Sequence, residues 1–179
     1  MIEVVDYDAA WPLQFEVLRA LLRPALAGID CVIEHVGSTS VPGLAAKPVI
    51  DLDIILADAA DTAAAIEALS LIGYEHLGDL GIPGREAFRH PAPPLRHNLY
   101  CGPGDALPIR NHLAVRDALR SDAALRAEYS ELKRALAART NDIDVYVEGK
   151  SALILRVLAA AGLSADALAE VEQVNRADR

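Results

Sequence analysis

The segment "EHVGSTSVPGLAAKPVIDLDI", Glu34 to Ile54, decides how the chain is read. It opens on the end of an apolar run, turns at Gly37-Ser38, and passes a connection punctuated by Pro and Gly. A second apolar run follows, carrying Asp51 and Asp53. Side chains alternate across a strand, so the two aspartates share one face while Leu52 and Ile54 point into a core on the other. A single acid in such a strand reads as a turn cap or an ion-pair partner. Two at i, i+2 repel each other unless something positive lies between them. A hard divalent cation, Mg2+ or Mn2+, is the economical partner, because it takes carboxylate oxygens and completes its octahedron with substrate phosphate.

Gly37-Ser38 supplies the complementary half of such a site. The glycine allows a tight turn after the strand, and the exposed backbone N–H groups that follow, with the Ser38 hydroxyl, can cradle a phosphate. Alone, Gly-Ser-Thr-Ser is an ordinary turn or helix cap. Its weight comes from its distance to the aspartates.

Outward from this segment, Trp11 to Ala27 places Phe15, Leu18, Leu22 and Leu26 at helical spacing, with Asp8 as N-cap and a kink at Pro24. Strands are expected at Cys31 to Val36 and Val49 to Leu56. A helix closed by Gly73 comes next, then short strand-like runs near "YEHLG", "REAF" and "RHNLYC" in a loop-rich stretch suited to binding residues. From Leu107 the pattern is helical to the end. The expected fold class is α/β (α+β): a mixed core over about residues 1–106 and a helical part over about 107–179, in one domain.

Composition narrows the function. Hydrophobic residues make up 53% and aromatics 4%, a surplus of Ala and Leu that favours helices on a modest sheet. A formal charge of −9 repels nucleic-acid phosphate over most of the surface, which disfavours general nucleic-acid binding and asks for a local basic pocket or cations at any nucleotide contact. Cys31 and Cys101 lie in apolar runs without a C-x-x-C, as expected of core thiols in a reducing cytoplasm. No secretory leader and no apolar run of about 20 residues is present, so a cytoplasmic protein without a membrane span is expected.

Val36-Gly37-Ser38, twelve residues from Thr39 to Ile50, then Asp51-Leu52-Asp53-Ile54 resembles the strand, Gly-Ser, helix, strand signature of the nucleotidyltransferase superfamily related to DNA polymerase β. "GYEHLGDLGIPGR", "NHLAVRDALR" and "YSELKRALA" in the same order resemble, more narrowly, the GrpB-like family. The resemblance implies a nucleotidyltransferase-like sheet, nucleotide phosphate at Gly37 and Ser38, and Mg2+ or Mn2+ on Asp51 and Asp53. It also implies a third carboxylate on a later strand. The stretch "RHNLYC" offers His97 and Asn98 there instead, with His97 as general base, metal ligand or a satisfied strand histidine. Lys47 and Arg85 are either phosphate contacts or solvated loop charges.

Lys133 and Lys150 read as exposed helix charges, one of which could reach over the cleft. His35 reads as a core hydrogen-bond partner, and His112 with Arg116, at i, i+4, as a surface or interdomain pair. The expected activity is transfer of a nucleotidyl group from a nucleoside triphosphate to a small-molecule or protein hydroxyl. A silent nucleotide- or partner-binding module and a phosphate-ester hydrolase are the alternatives. Related modules fused to dephospho-coenzyme A kinases imply a link to coenzyme A metabolism.

Overall fold

The computed structural model describes residues 2–177. Helix α1 (Trp11–Leu22) buries Trp11, Phe15, Leu18 and Leu22 along one stripe. It stops earlier than expected and does not kink. Pro24 has no N–H for the next intrahelical bond and its ring crowds the preceding turn, so the chain leaves in a run of turns that still buries Leu26. Asp8 sits two residues before the cap position. It accepts the Ala10 N–H on its side chain (2.8 Å) and the Trp11 N–H on its carbonyl (3.1 Å), which shapes the entry to the helix.

Strands β1 (Cys31–Val36), β2 (Ile50–Leu56), β3 (Glu75–His76), β4 (Glu86–Arg89) and β5 (His97–Pro103) form a mixed sheet in the order β1-β2-β5-β4-β3. Only the central β2/β5 pair is parallel, its crossover carrying α2 (Thr62–Leu71) and the β3/β4 hairpin. Helices α3 (Leu107–Ser121), α4 (Ala123–Arg139), α5 (Ile143–Ala160) and α6 (Ala165–Ala177) follow. No helix among the described residues is long and apolar enough to cross a membrane.

Alternation along β2 gives the sheet two unlike faces. Ile50, Leu52, Ile54 and Leu56, with Leu99 and Cys101 of β5, pack into the main core with α1 and α2. Asp51, Asp53, Asn98 and Tyr100 occupy the other face, in register as Asp51 with Asn98 and Asp53 with Tyr100. A second cluster joins Val41 and Leu44, from the loop after Gly37-Ser38, to Leu119, Tyr129, Leu153 and Val157 of α3, α4 and α5. The same loop is fastened where the Ala45 N–H donates to Ser130 Oγ (3.2 Å), which itself donates to the Arg126 carbonyl (3.0 Å). The helical layer therefore holds the Gly-Ser turn in place.

Candidate functional site

Gly37 ends β1 with φ +67° and ψ −172°, a left-handed conformation that glycine alone adopts without strain. A side-chain carbon there would overlap the Asp51 carboxylate, so turn and acid are packed directly together. The one-turn 3-10 helix Ser38–Ser40 follows, closed by the Ser40 hydroxyl donating to the Gly37 carbonyl (2.6 Å). Thr39 Oγ1 donates to the Val49 carbonyl (3.3 Å), which leaves its lone pair to accept from His35 Nε2–H (3.0 Å). His35 is the core histidine expected from its position. It stacks on Phe15 at 4.8 Å, and burial first, then the charges of Arg120 and Arg116, bring its pKa down to about 4.

Each aspartate has a neutral or ionisable partner rather than a Lys or Arg. Asn98 Nδ2 donates to Asp51 Oδ1 (2.7 Å), while His112 Nδ1 lies 2.9 Å from Asp53 Oδ2 and 3.1 Å from Oδ1. Asp53 is 0% exposed. Burial pushes the Asp51 pKa up, against the Asn98 hydrogen bond and the charges of His112 and Lys150, with the Asp53 charge adding to the rise.

Two lysines face the acids. Lys133, only 2% exposed, donates to Ser38 Oγ (2.9 Å) and stands 4.5 Å over the Tyr129 ring. Lys150 stands 4.6 Å over the Tyr146 ring. Burial brings Lys133 down to about 7, helped by the charges of Lys150 and Arg134, and Lys150 down to about 8, helped by Lys47. The Asp51 charge pulls both upward.

Part of this set borders a cleft of about 310 Å³ between the polar sheet face and the helices. Gly37, Ser38, Asp51, Arg85, His112 and Lys150 line its polar end, and Leu107, Val115, Leu119, Ile154 and Leu158 its apolar wall. Arg85 lies 4.3 Å over the Tyr100 ring. Arg85 Nε and Asn111 Oδ1, on two residues that line the cleft, are buried without a hydrogen-bond partner among the described residues.

Of the residues expected from sequence, Gly37, Ser38, Asp51 and Arg85 come together at this cleft, with Asp53 beneath His112. Lys47 lies to one side, over Tyr146 at 5.7 Å and close enough to Lys150 to depress it. Of the three roles expected for His97, its geometry is that of the satisfied strand histidine, away from the aspartates where a general base or metal ligand would stand. It shares parity with Leu99 and Cys101, so it points to the main-core side, where its Nε2 meets Tyr74 Oη (2.8 Å) and its Nδ1 the Leu95 carbonyl (2.7 Å). The positions that do face the aspartates from β5 are Asn98 and Tyr100, so no third carboxylate stands there.

Of the surface or interdomain roles expected for His112 and Arg116, the second describes them, since both reach from the helical part to the sheet. His112 turns to Asp53, while Arg116 donates to Glu34 (2.6 Å) and to the His35 carbonyl (3.2 Å), tying α3 to β1. Lys133 and Lys150 are buried or half-buried, not exposed helix charges.

No group of three or more His, Cys, Asp or Glu able to hold a metal ion occurs among the described residues. The donor set is instead two hard carboxylates. Asp51 Oδ2 faces Gly37 without using the oxygen bound to Asn98, whereas both oxygens of the buried Asp53 lie within hydrogen-bond reach of the one His112 Nδ1. Such a pair suits Mg2+ or Mn2+ provided phosphate and water supply the remaining ligands.

The comparisons with known proteins agree with this architecture. A UPF0157 protein of Streptomyces coelicolor is 39% identical over 158 residues, covering 88% of this chain and 82% of that protein. The crystal structure of the conserved protein GrpB from Enterococcus faecalis superposes with a TM-score of 0.77 at 36% identity, covering 89% of this chain and 96% of that one. A mutant Cid1 poly(U) polymerase bound to MgATP gives a TM-score of 0.50 at 19% identity over 73% of this chain and 45% of that one, a likeness of nucleotidyltransferase-like fold alone. The family described as GrpB protein matches residues 1–160, and the chain belongs to the GrpB family.

Proposed function

We propose that the protein binds a nucleoside triphosphate together with Mg2+ or Mn2+ and passes its nucleotidyl group to the hydroxyl of a small-molecule or protein acceptor. One observation supports this: a buried lysine, Lys133, donates to the serine of a Gly-Ser turn that is packed against Asp51, so an ammonium and a carboxylate flank one turn at the edge of the cleft. Ser38 and Lys133 hold the terminal phosphates, Lys150 adds a second ammonium, and Arg85 is placed to meet the nucleotide from the Tyr100 side. Asp51 and Asp53 hold the cation, which when bound draws charge from the reacting phosphate. The apolar wall excludes water, which strengthens every charge interaction inside.

A catalytically silent nucleotide-binding module is the second reading, favoured by Asn98 and Tyr100 standing where a third carboxylate would take the acceptor's proton. Calorimetry with Mn2+ and each nucleoside triphosphate, followed by pyrophosphate release with and without a small-molecule extract, separates the cases. Extract-dependent release supports transfer. Binding without turnover supports the silent module, and release without acceptor supports a hydrolase. Absence of binding at millimolar ligand removes the nucleotide site altogether.

A further inference from the structure

We propose that His112 and a divalent cation compete for the carboxylate of Asp53, so that His112 sets how tightly the cleft holds its metal; this rests on the cleft being a metal–nucleotide site. Asp51 and Asp53 are unequal. Asp51 lines the cleft and keeps one oxygen clear of its Asn98 bond, whereas Asp53 is 0% exposed, with His112 Nδ1 placed 2.9 and 3.1 Å from its two oxygens. A cation reaching Asp51 alone gains one protein carboxylate. To gain the second it must take the place of an imidazole N–H.

The two partners differ in freedom to move. Asp53 is fixed in β2, paired to Glu34 on one side and Tyr100 on the other. His112 belongs to α3, its side chain is 29% exposed and borders the cleft, and its ring rests at 5.7 Å, tilted by 54°, on Tyr100. Turning the imidazole outward therefore opens Asp53 without disturbing the sheet. In either state Asp53 keeps a partner, which explains how a wholly buried second acid is tolerated when no cation is present.

The test is Mn2+ calorimetry on the full chain, on His112→Ala, and on His112→Phe, which keeps a ring against Tyr100. Both variants are expected to bind Mn2+ about tenfold or more tighter than the parent, the worth of one hydrogen bond to a charged group, and Asp51→Asn to lose binding. Equal affinity in parent and variants leaves the metal site standing and overturns the competition. Weaker binding in the variants makes His112 a helper of the metal and overturns it too. Binding in none of these proteins removes the metal site and this inference together. Should both variants fail to fold, histidine side-chain NMR of the parent decides: the His112 Nδ1–H signal must lose its hydrogen-bonded character at a Mg2+ concentration that calorimetry shows to be saturating. An unchanged signal overturns the proposal.

Discussion

A lysine 2% exposed, with its ammonium between a serine hydroxyl and a tyrosine ring, is poorly placed to be charged, and burial brings its pKa to about 7. If Lys133 served stability, losing it would destabilise the fold. If it serves an anion, the empty protein bears an unrelieved desolvation cost that an apolar side chain removes. Lys133→Met is therefore expected to raise the melting temperature of the ligand-free protein and abolish triphosphate binding, and a lower melting temperature with binding retained would show a structural lysine. A pH dependence follows from the same shift. The folded pKa lies below the unfolded value of 10.5, so between about pH 7 and 10.5 the unfolded chain binds more protons and the contribution of Lys133 to stability rises with pH. Melting curves from pH 7 to 10 should show the parent gaining on Lys133→Met, and parallel curves would contradict the depressed pKa. Triphosphate binding should strengthen in the opposite direction, as pH falls towards 7 and the ammonium charges.

At the scale of elements, the loop after Gly37-Ser38 is the joint between the two layers. Leu44 is 0% exposed in the cluster it forms with α3, α4 and α5, and its deletion to alanine is expected to cost about 2–5 kcal/mol. Because that cluster seats Ser38 against Lys133, Leu44→Ala should also weaken triphosphate binding at temperatures where the variant is folded. Leu69→Ala, in the main core, should cost similar stability and leave binding unchanged. Equal effects of the two on binding would mean that the loop does not position the turn. Strands β1 and β2 were legible from apolar runs bounded by Gly and Pro, and α3 to α5 from their periodicity, because local sequence dictates these elements. The parity of His97 is legible too, since it matches Leu99 and Cys101 in the alternation. Tyr129 with Lys133 and Tyr146 with Lys150 repeat the same i, i+4 pair on neighbouring helices, a signal that both lysines belong to an inward stripe. The approach of His112 to Asp53 had no such signal. It joins positions 59 residues apart and exists only once α3 is laid across the sheet.

Over the whole molecule, the charge is −9 while Lys150, Arg85 and the ion-paired Arg116 line one cleft and Lys133 lies behind its Ser38. Such a distribution is expected to discriminate by size. On the proposed reading a compact triphosphate carrying its own cation would need only these few basic groups, whereas a polymer would also have to lay successive phosphates along a protein of net negative charge. A shared fold alone assigns no acceptor, so RNA binding has to be measured. Single-stranded RNA of 10–20 nucleotides, about the length of a few single-strand binding sites, is expected to show no binding at about 0.15 M salt by fluorescence anisotropy. A nucleoside triphosphate with Mn2+ is expected to bind under the same conditions, with a shallow dependence on salt because only a few phosphate charges are neutralised. Micromolar RNA binding with a steep salt slope would reverse the assignment, since it would require a basic track across the surface that the charge distribution opposes, and it would make a nucleic-acid end the acceptor in place of a small molecule or protein.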